Sequence, residues 1–287
     1  MFAVAPLTGS GLGRVSPRTP SSLLAASLLI VFLQSSFLRG DAWTPPSNYE
    51  DATFATTGST ITGNEDFGLS GATYFSIRTK FRLNLDHSDY GPMLRLGSSA
   101  DSQKVLVLHQ LGAAYGSSQK NGLYFNMQTS SSSKCGEMKT LGHQWPDPDT
   151  ELDVVVTWNG VTAVMYVDGS QVATSDTKTS TCTAPSGLNE FRAGHTSSNG
   201  ALQGTISFWT VWSGVTLTAQ QVADMANGDY ANIYTPVRHY ALNEGTGSVA
   251  DDYMGNGAQL SLSNSVTWTT RKTDPGVCVR ALGFHSM

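Results

Sequence analysis

Asp153-Val-Val-Val-Thr-Trp158 is followed by Asn159-Gly160, then by Thr162-Ala-Val-Met-Tyr-Val167, by Asp168-Gly169 and by Gln171-Val-Ala173. Val, Thr, Tyr and Trp suit a pleated, half-buried surface. Asn-Gly and Asp-Gly supply the positive φ angles that tight primed hairpin turns demand. The stretch therefore reads as a three-stranded antiparallel meander.

Working outward, Phe75, Ile77, Phe81, Leu83 and Leu85 alternate with Ser76, Arg78, Lys80, Arg82 and Asn84, the period of a strand with one buried face. Further strands are expected near 92–97, 104–111, 122–129, 189–194 and 204–212, separated by Gly and Ser clusters. The convincing helix begins at Leu217-Thr218, where Thr218-x-x-Gln221 forms a capping box, and stops at Asn227-Gly228. Many short strands with one helix near 217–227 predict an all-β antiparallel sandwich or jelly roll. Composition agrees: of 287 residues 29 are Gly and only 14% are charged, which excludes a charge-laced coiled coil. With 22 acidic against 17 basic residues the net charge is −5, which argues against a nucleic-acid partner held by phosphate neutralisation.

Residues 1–22 hold Arg14 and Arg18 but no acid, and precede the apolar run Leu23–Leu33; Gly40-Asp41-Ala42 offers a small-x-small cleavage site. Residues 1–42 are read as a secretory signal, with an uncleaved signal anchor, the one expected link to a membrane, as the alternative. Cleavage would remove Arg14, Arg18, Arg39 and Asp41, leaving a more acidic chain. In an oxidising compartment Cys135 and Cys182 are the expected disulfide, because each sits in a Ser/Thr-rich loop flanking the same hairpin. That leaves Cys278 free or joining two chains; three free thiols are the alternative.

The hairpin Asp153–Gly160 with Val164-Met-Tyr166-Val-Asp168-Gly169, then Phe191-Arg-Ala-Gly194, Gly204-Thr-Ile206 through Trp212, and Leu217-Thr218-Ala-Gln-Gln-Val222, resembles laminin G-like domains of the concanavalin A-like lectin/glucanase superfamily. Hairpin, Gly-x-Ile strand and short capped helix come in that family's order, over residues 52–235. The segment Tyr240–Gly247, Val249–Gly257 and Val266-Thr-Trp268 resembles the piece that usually opens such domains, yet here it follows the helix. About 35 residues cannot bury a core alone. One domain over 43–271 is therefore expected, with 237–270 as a displaced, permuted strand segment and 272–287 as a tail; a remnant of a second domain is the alternative.

The resemblance implies a bound Ca2+, for which Asp86 and Asp89, or Asp251 and Asp252, are the candidate ligands; Asx turns are the competing explanation for both loops. Ser207 stands where the family commonly has an acid. The superfamily's glucanases carry Glu-x-Asp-x-x-Glu, and Glu151-Leu-Asp153-Val-Val-Val156 lacks the last carboxylate. No nucleophile elbow, zinc pair or phosphate-binding loop is present. The candidate ligand contacts are the basic row Arg78, Lys80 and Arg82, suited to a sulfated or uronic-acid glycan unless it is merely solvated sheet surface. To these are added His195 and Asn199 in a polar loop, and Trp212, free to stack on a sugar or to pack against the helix. The expected function is that of a secreted, non-catalytic, calcium-assisted binder of a carbohydrate or another extracellular ligand. An adhesive surface protein binding other proteins, or a glycoside hydrolase, is the alternative.

Overall fold

The computed structural model describes residues 43–46, 50–54, 58–83, 90–112, 121–140, 150–194, 202, 204–263 and 265–270. The expected signal at 1–42, Asp86, Asp89, His195, Asn199, Cys278 and the tail lie outside the described residues. Alternation along the strands places one row of side chains between two antiparallel sheets. Sheet A runs, in spatial order, β10 (Ser170–Thr174), β9 (Ala163–Val167), β8 (Glu151–Trp158), β3 (Phe75–Leu83), β12 (Gly204–Ser213), β1 (Glu50–Phe54) and β16 (Val266–Thr270). A short strand, β13 (Arg238–Tyr240), pairs along the second half of β12. Sheet B runs β14 (Val249–Ala250), β15 (Leu260–Leu262), β2 (Thr60–Gly63), β11 (Glu190–Gly194), β4 (Tyr90–Gly97), β5 (Val105–Leu111), β6 (Leu123–Ser130) and β7 (Ser133–Lys139). The fold is thus an all-β sandwich of the jelly-roll kind, with α1 (Ala219–Ala226) as its helix among the described residues.

The meander β8-β9-β10 forms as its sequence demands. At its second turn Asp168 and Gly169 take φ of 49° and 81°, and Val167 stands opposite Ser170, a primed two-residue turn. The first turn differs from expectation. Trp158 pairs with Ala163, so four residues intervene, and of these only Gly160 has a positive φ, 90°. The Asn159 side-chain oxygen instead accepts from the backbone N–H groups of Val161 (3.1 Å) and Thr162 (2.8 Å), an Asx turn that spares Asn159 the strained conformation.

Trp158, Trp209, Tyr240, Phe54, Phe75, Phe81, Phe125 and Phe191 lie between the sheets, fully buried. The 238–270 segment is woven into both sheets: β13 pairs with β12, β15 with β2, and β16 with β1. Its Tyr240 stacks on Phe67 with ring centroids 5.2 Å apart. Helix α1 opens with its capping box: Thr218 Oγ1 accepts from Gln221 N, and Gln221 Oε1 accepts from Thr218 N at 3.0 Å. Gly228, at φ 78°, follows its last turn.

Cys135 and Cys182 form a disulfide. Cys135 lies within β7, an edge strand whose Ser-rich sequence hides its pleat, rather than in a loop. Cys182 is held beside the first hairpin turn by its N–H to the Gly160 carbonyl at 2.7 Å. The bond therefore ties the edge of sheet B to the meander of sheet A. Closing a loop of that span, with a sequence separation of 47, constrains the unfolded chain by about 4 kcal/mol in the entropy model. Cys135→Ala, or reduction, is expected to lower the unfolding free energy by about 2–4 kcal/mol in urea titrations run with and without reductant.

Candidate functional site

The outward residues of β3 and β12 decide what each face of the sandwich can do. On sheet A, Trp212 points away from the core and is fully buried among Trp43, Leu217, Val222, Met225 and Ile233. Trp43 meets it edge-on at 6.1 Å, and the Trp212 indole N–H donates to the Tyr234 carbonyl. It is a packing residue beneath the helix rather than a sugar platform. Its partner Trp209 faces the core and donates to the Met93 carbonyl.

The basic row on the same face is neutralised strand by strand. Register sets Arg78 opposite Val155, Lys80 opposite Asp153 and Arg82 opposite Glu151. Arg78, only 5% exposed, donates from both Nε and Nη2 to the Asp153 carboxylate, from Nη1 to the Tyr230 hydroxyl and from Nη2 to the Met225 carbonyl in the last turn of α1. Burial would lower its pKa, but Asp153 and Tyr230 outweigh burial and hold the guanidinium charged. Lys80 pairs with Glu151 at 2.7 Å and Arg82 with the same carboxylate at 3.3 Å. Asp51, itself near Arg82, accepts the Ser207 hydroxyl at 2.6 Å. The row is therefore structural, and Glu151 and Asp153, whose spacing lacks the third carboxylate of the glucanase motif, are both engaged in it. In a depression of about 330 Å³ beside α1, lined by Lys80, Glu151, Asp153 and Asp168, Lys80 is paired with Glu151, Asp153 with Arg78, and Asp168 accepts the Asp153 backbone N–H at 3.0 Å.

The expected calcium loop at 251–257 is a hydrogen-bonded turn. Asp252 is 8% exposed; one of its oxygens accepts from His239 N and Met254 N, the other from Asn256 N and Gly257 N. Four donors fill its in-plane lone pairs, so it does not fit as a calcium ligand. Asp251 is exposed and accepts from the Gln259 side chain. Among the described residues no group of three or more His, Cys, Asp or Glu is gathered to hold a metal ion.

Sheet B is different. Among the described residues no helix packs on its outer face, and its register assembles a row across six strands. Ser261 stands beside Thr62, Thr62 beside Arg192, Arg192 beside Arg95, Arg95 beside Val107, and Val107 beside Asn126. Their strand neighbours Phe191, Leu96, Leu106 and Met127 point into the core, so the row faces outward. Five strand spacings of about 4.8 Å make it about 24 Å long. Val107 and Asn126, each 5% exposed, are the closed end of this row, and the buried Asn126 Oδ1 has no hydrogen-bond partner among the described residues. One register step away, His109 lies beside Tyr124, and Tyr124 carries Lys139 over its ring at 5.4 Å. At the β15 end a depression of about 380 Å³ is lined by Thr62, Asn64, Arg192, Gln259 and Ser261. The sequence displays the alternation that turns Arg192 outward, but not the pairing that sets it against Arg95, which depends on register between strands almost a hundred residues apart.

Two buried imidazoles are held neutral. His239, bonded through Nδ1 to Thr210 Oγ1 at 2.8 Å, is pushed down to about 4 by burial and by the Arg78 charge, against the pull of Asp252. His109 is pushed down to about 3 by burial and Arg95.

No family model matches this chain, and none of the curated proteins matches it. Solved structures do. A provisionally named carbohydrate binding protein from Bacteroides ovatus is 16% identical with a TM-score of 0.53, over 79% of this chain and 61% of that one. The heptameric SAP-like pentraxin of Limulus polyphemus is 13% identical with a TM-score of 0.45, over 76% of this chain and 96% of that one. Mouse laminin α1, domains LG4-5, is 14% identical with a TM-score of 0.38, over 57% of this chain and 41% of that one. The chain thus spans less than two thirds of the Bacteroides protein, and the likeness to it shows the fold, a jelly roll.

Two outcomes follow from the charges. Arg78→Ala leaves Asp153 buried without its partner, and chemical denaturation is expected to show a loss of about 3–5 kcal/mol. Because the folded state excludes a proton that the unfolded His239 binds below its ordinary value near 6.5, stability is full above that pH. It falls as pH drops towards 4, by up to about 3 kcal/mol. Melting curves recorded across that range should show this slope added to a like one from His109, and His239→Asn should remove only the His239 share, about half of the total.

Proposed function

We propose that this chain is an extracellular, non-catalytic carbohydrate-binding module of the laminin G-like kind, with the outer face of sheet B as its binding surface. The observation that carries the reading is the contrast between the two faces. Sheet A is closed by α1, Trp43 and cross-strand ion pairs. Sheet B presents on its outer face the hydroxyls of Thr62 and Ser261 and the guanidinium groups of Arg192 and Arg95, and among the described residues no helix covers them. Saccharides are held by polar side chains of this kind, which match ring hydroxyls. The Cys135–Cys182 bond suits an oxidising compartment, and the description of the Bacteroides neighbour points the same way. Catalysis finds no support, since Glu151 and Asp153 are committed to ion pairs.

A glycan array followed by calorimetric titration is expected to give saturable binding to at least one glycan class. Thr62→Ala or Ser261→Ala should weaken it about tenfold, and Lys80→Ala on the closed face should leave it unchanged. The titration is run with calcium and with a chelator, the difference between the arms reporting on Asp86 and Asp89 as calcium ligands, since Asp252 has no lone pair left for a cation. Absence of binding to any glycan in either arm, or loss of binding only in the Lys80 variant, would sink the proposal.

A further inference from the structure

We infer that Arg95 and Arg192 form a subsite for the anionic group of an acidic saccharide, a carboxylate or a sulfate ester, at the centre of the sheet B row. The inference rests on the carbohydrate-binding reading above and narrows it.

Two guanidinium side chains stand directly opposite each other on adjacent antiparallel strands, β11 and β4. Like charges so placed repel and destabilise a sheet. This same chain shows how it treats basic residues elsewhere on its strands: Arg78 is matched to Asp153, and Lys80 and Arg82 to Glu151. Among the described residues neither Arg95 nor Arg192 has such a partner. Glu190, outward on β11 opposite Gly97, favours the Arg95 charge from nearby without an ion pair, while the Arg95 Nη1 lies over Gly97. Burial, and after it the charge of Arg192, lower the Arg95 pKa from its ordinary value. The pair therefore carries an electrostatic strain that an anion would relieve, on a chain whose net charge of −5 gives no general attraction for anions.

The chemistry of the surroundings selects among anions. A guanidinium presents a planar fork of donors that matches a carboxylate or sulfate with two parallel hydrogen bonds. Beside Arg192 the depression of about 380 Å³ offers the hydroxyls of Thr62 and Ser261 and the amides of Asn64 and Gln259. Free inorganic anions would leave these groups unused, whereas an acidic sugar engages them along with the arginines. The other basic cluster, Lys134 and Lys139 near Glu137, is already paired: Lys134 bonds Glu137 at 3.1 Å and Lys139 covers Tyr124.

The test is calorimetric titration of the full chain with oligosaccharides differing only in the acid: a uronate oligomer and its carboxyl-reduced form, a sulfated oligomer and its desulfated form, and poly-glutamate as a non-saccharide polyanion. Wild-type protein is expected to prefer one acidic form over its neutral counterpart by at least about tenfold, and whichever acid is preferred identifies the anion. Arg95→Gln and Arg192→Gln should each reduce that preference about tenfold, the double variant should abolish it, and neutral-form affinity should stay within about twofold. Arg192→Lys, which keeps the charge and loses the fork, should recover only part of it. If a glutamine variant fails to fold, as melting would reveal, salt dependence of the wild type decides: affinity for the acidic form should fall with salt while that for the neutral form holds. Equal affinity for acidic and neutral forms would overturn the inference and leave the carbohydrate reading standing. Binding of no saccharide would overturn both, and equal binding of poly-glutamate would overturn the assignment to a sugar.

Discussion

The centre of sheet A is dry on both of its faces, and most of what distinguishes this sandwich follows from that constraint. A sheet with one solvated face can leave its polar side chains to water; one covered on both sides must satisfy each of them within the protein. Arg78 accordingly meets Asp153, Tyr230 and the Met225 carbonyl, so that a single guanidinium joins β3 to β8 and both to the end of α1. Trp209 and Trp212, three residues apart on β12, serve opposite layers. Trp43 completes the outer layer by packing against Trp212, Tyr230 and His239, which fixes the start of the described chain to the helix side.

The same residue type has opposite consequences on the two sheets. Arginine on sheet A is an element of cohesion, bounded by carboxylates and aromatic rings. On sheet B, Arg95 and Arg192 are set against each other, and among the described residues neither forms an ion pair with an acid. Sequence context is alike in both places, a charged residue alternating with apolar ones. What differs is the partner strand and whether a helix lies above it.

Carboxylates tell a parallel story. Asp252, a candidate calcium ligand from the resemblance, and Glu65 are both consumed by the fold. Asp252 gathers four backbone N–H groups, and Glu65 accepts from Phe67 N, Ala258 N and the Arg238 guanidinium. These bonds fasten the late segment carrying β13 to β15 onto the loop after β2, and Tyr240 seals the junction in the core.

Local chemistry was readable from the residues alone wherever one short stretch contained both the cause and the effect. The Asp168-Gly169 turn, the Thr218–Gln221 capping box and the alternation of β3 needed nothing beyond their neighbours, and together they were enough for the all-β class. β7 escaped because its Ser-rich pattern carries no apolar period, and β1 and β2 because they are short. Pairings between distant strands were not readable: Arg192 against Arg95, Asp153 beneath Arg78, Glu65 against Arg238. Each depends on register and layer, which are set by the burial of many apolar side chains at once. Only the folded chain therefore decided which of its charged residues are bound into the structure and which remain to meet a ligand.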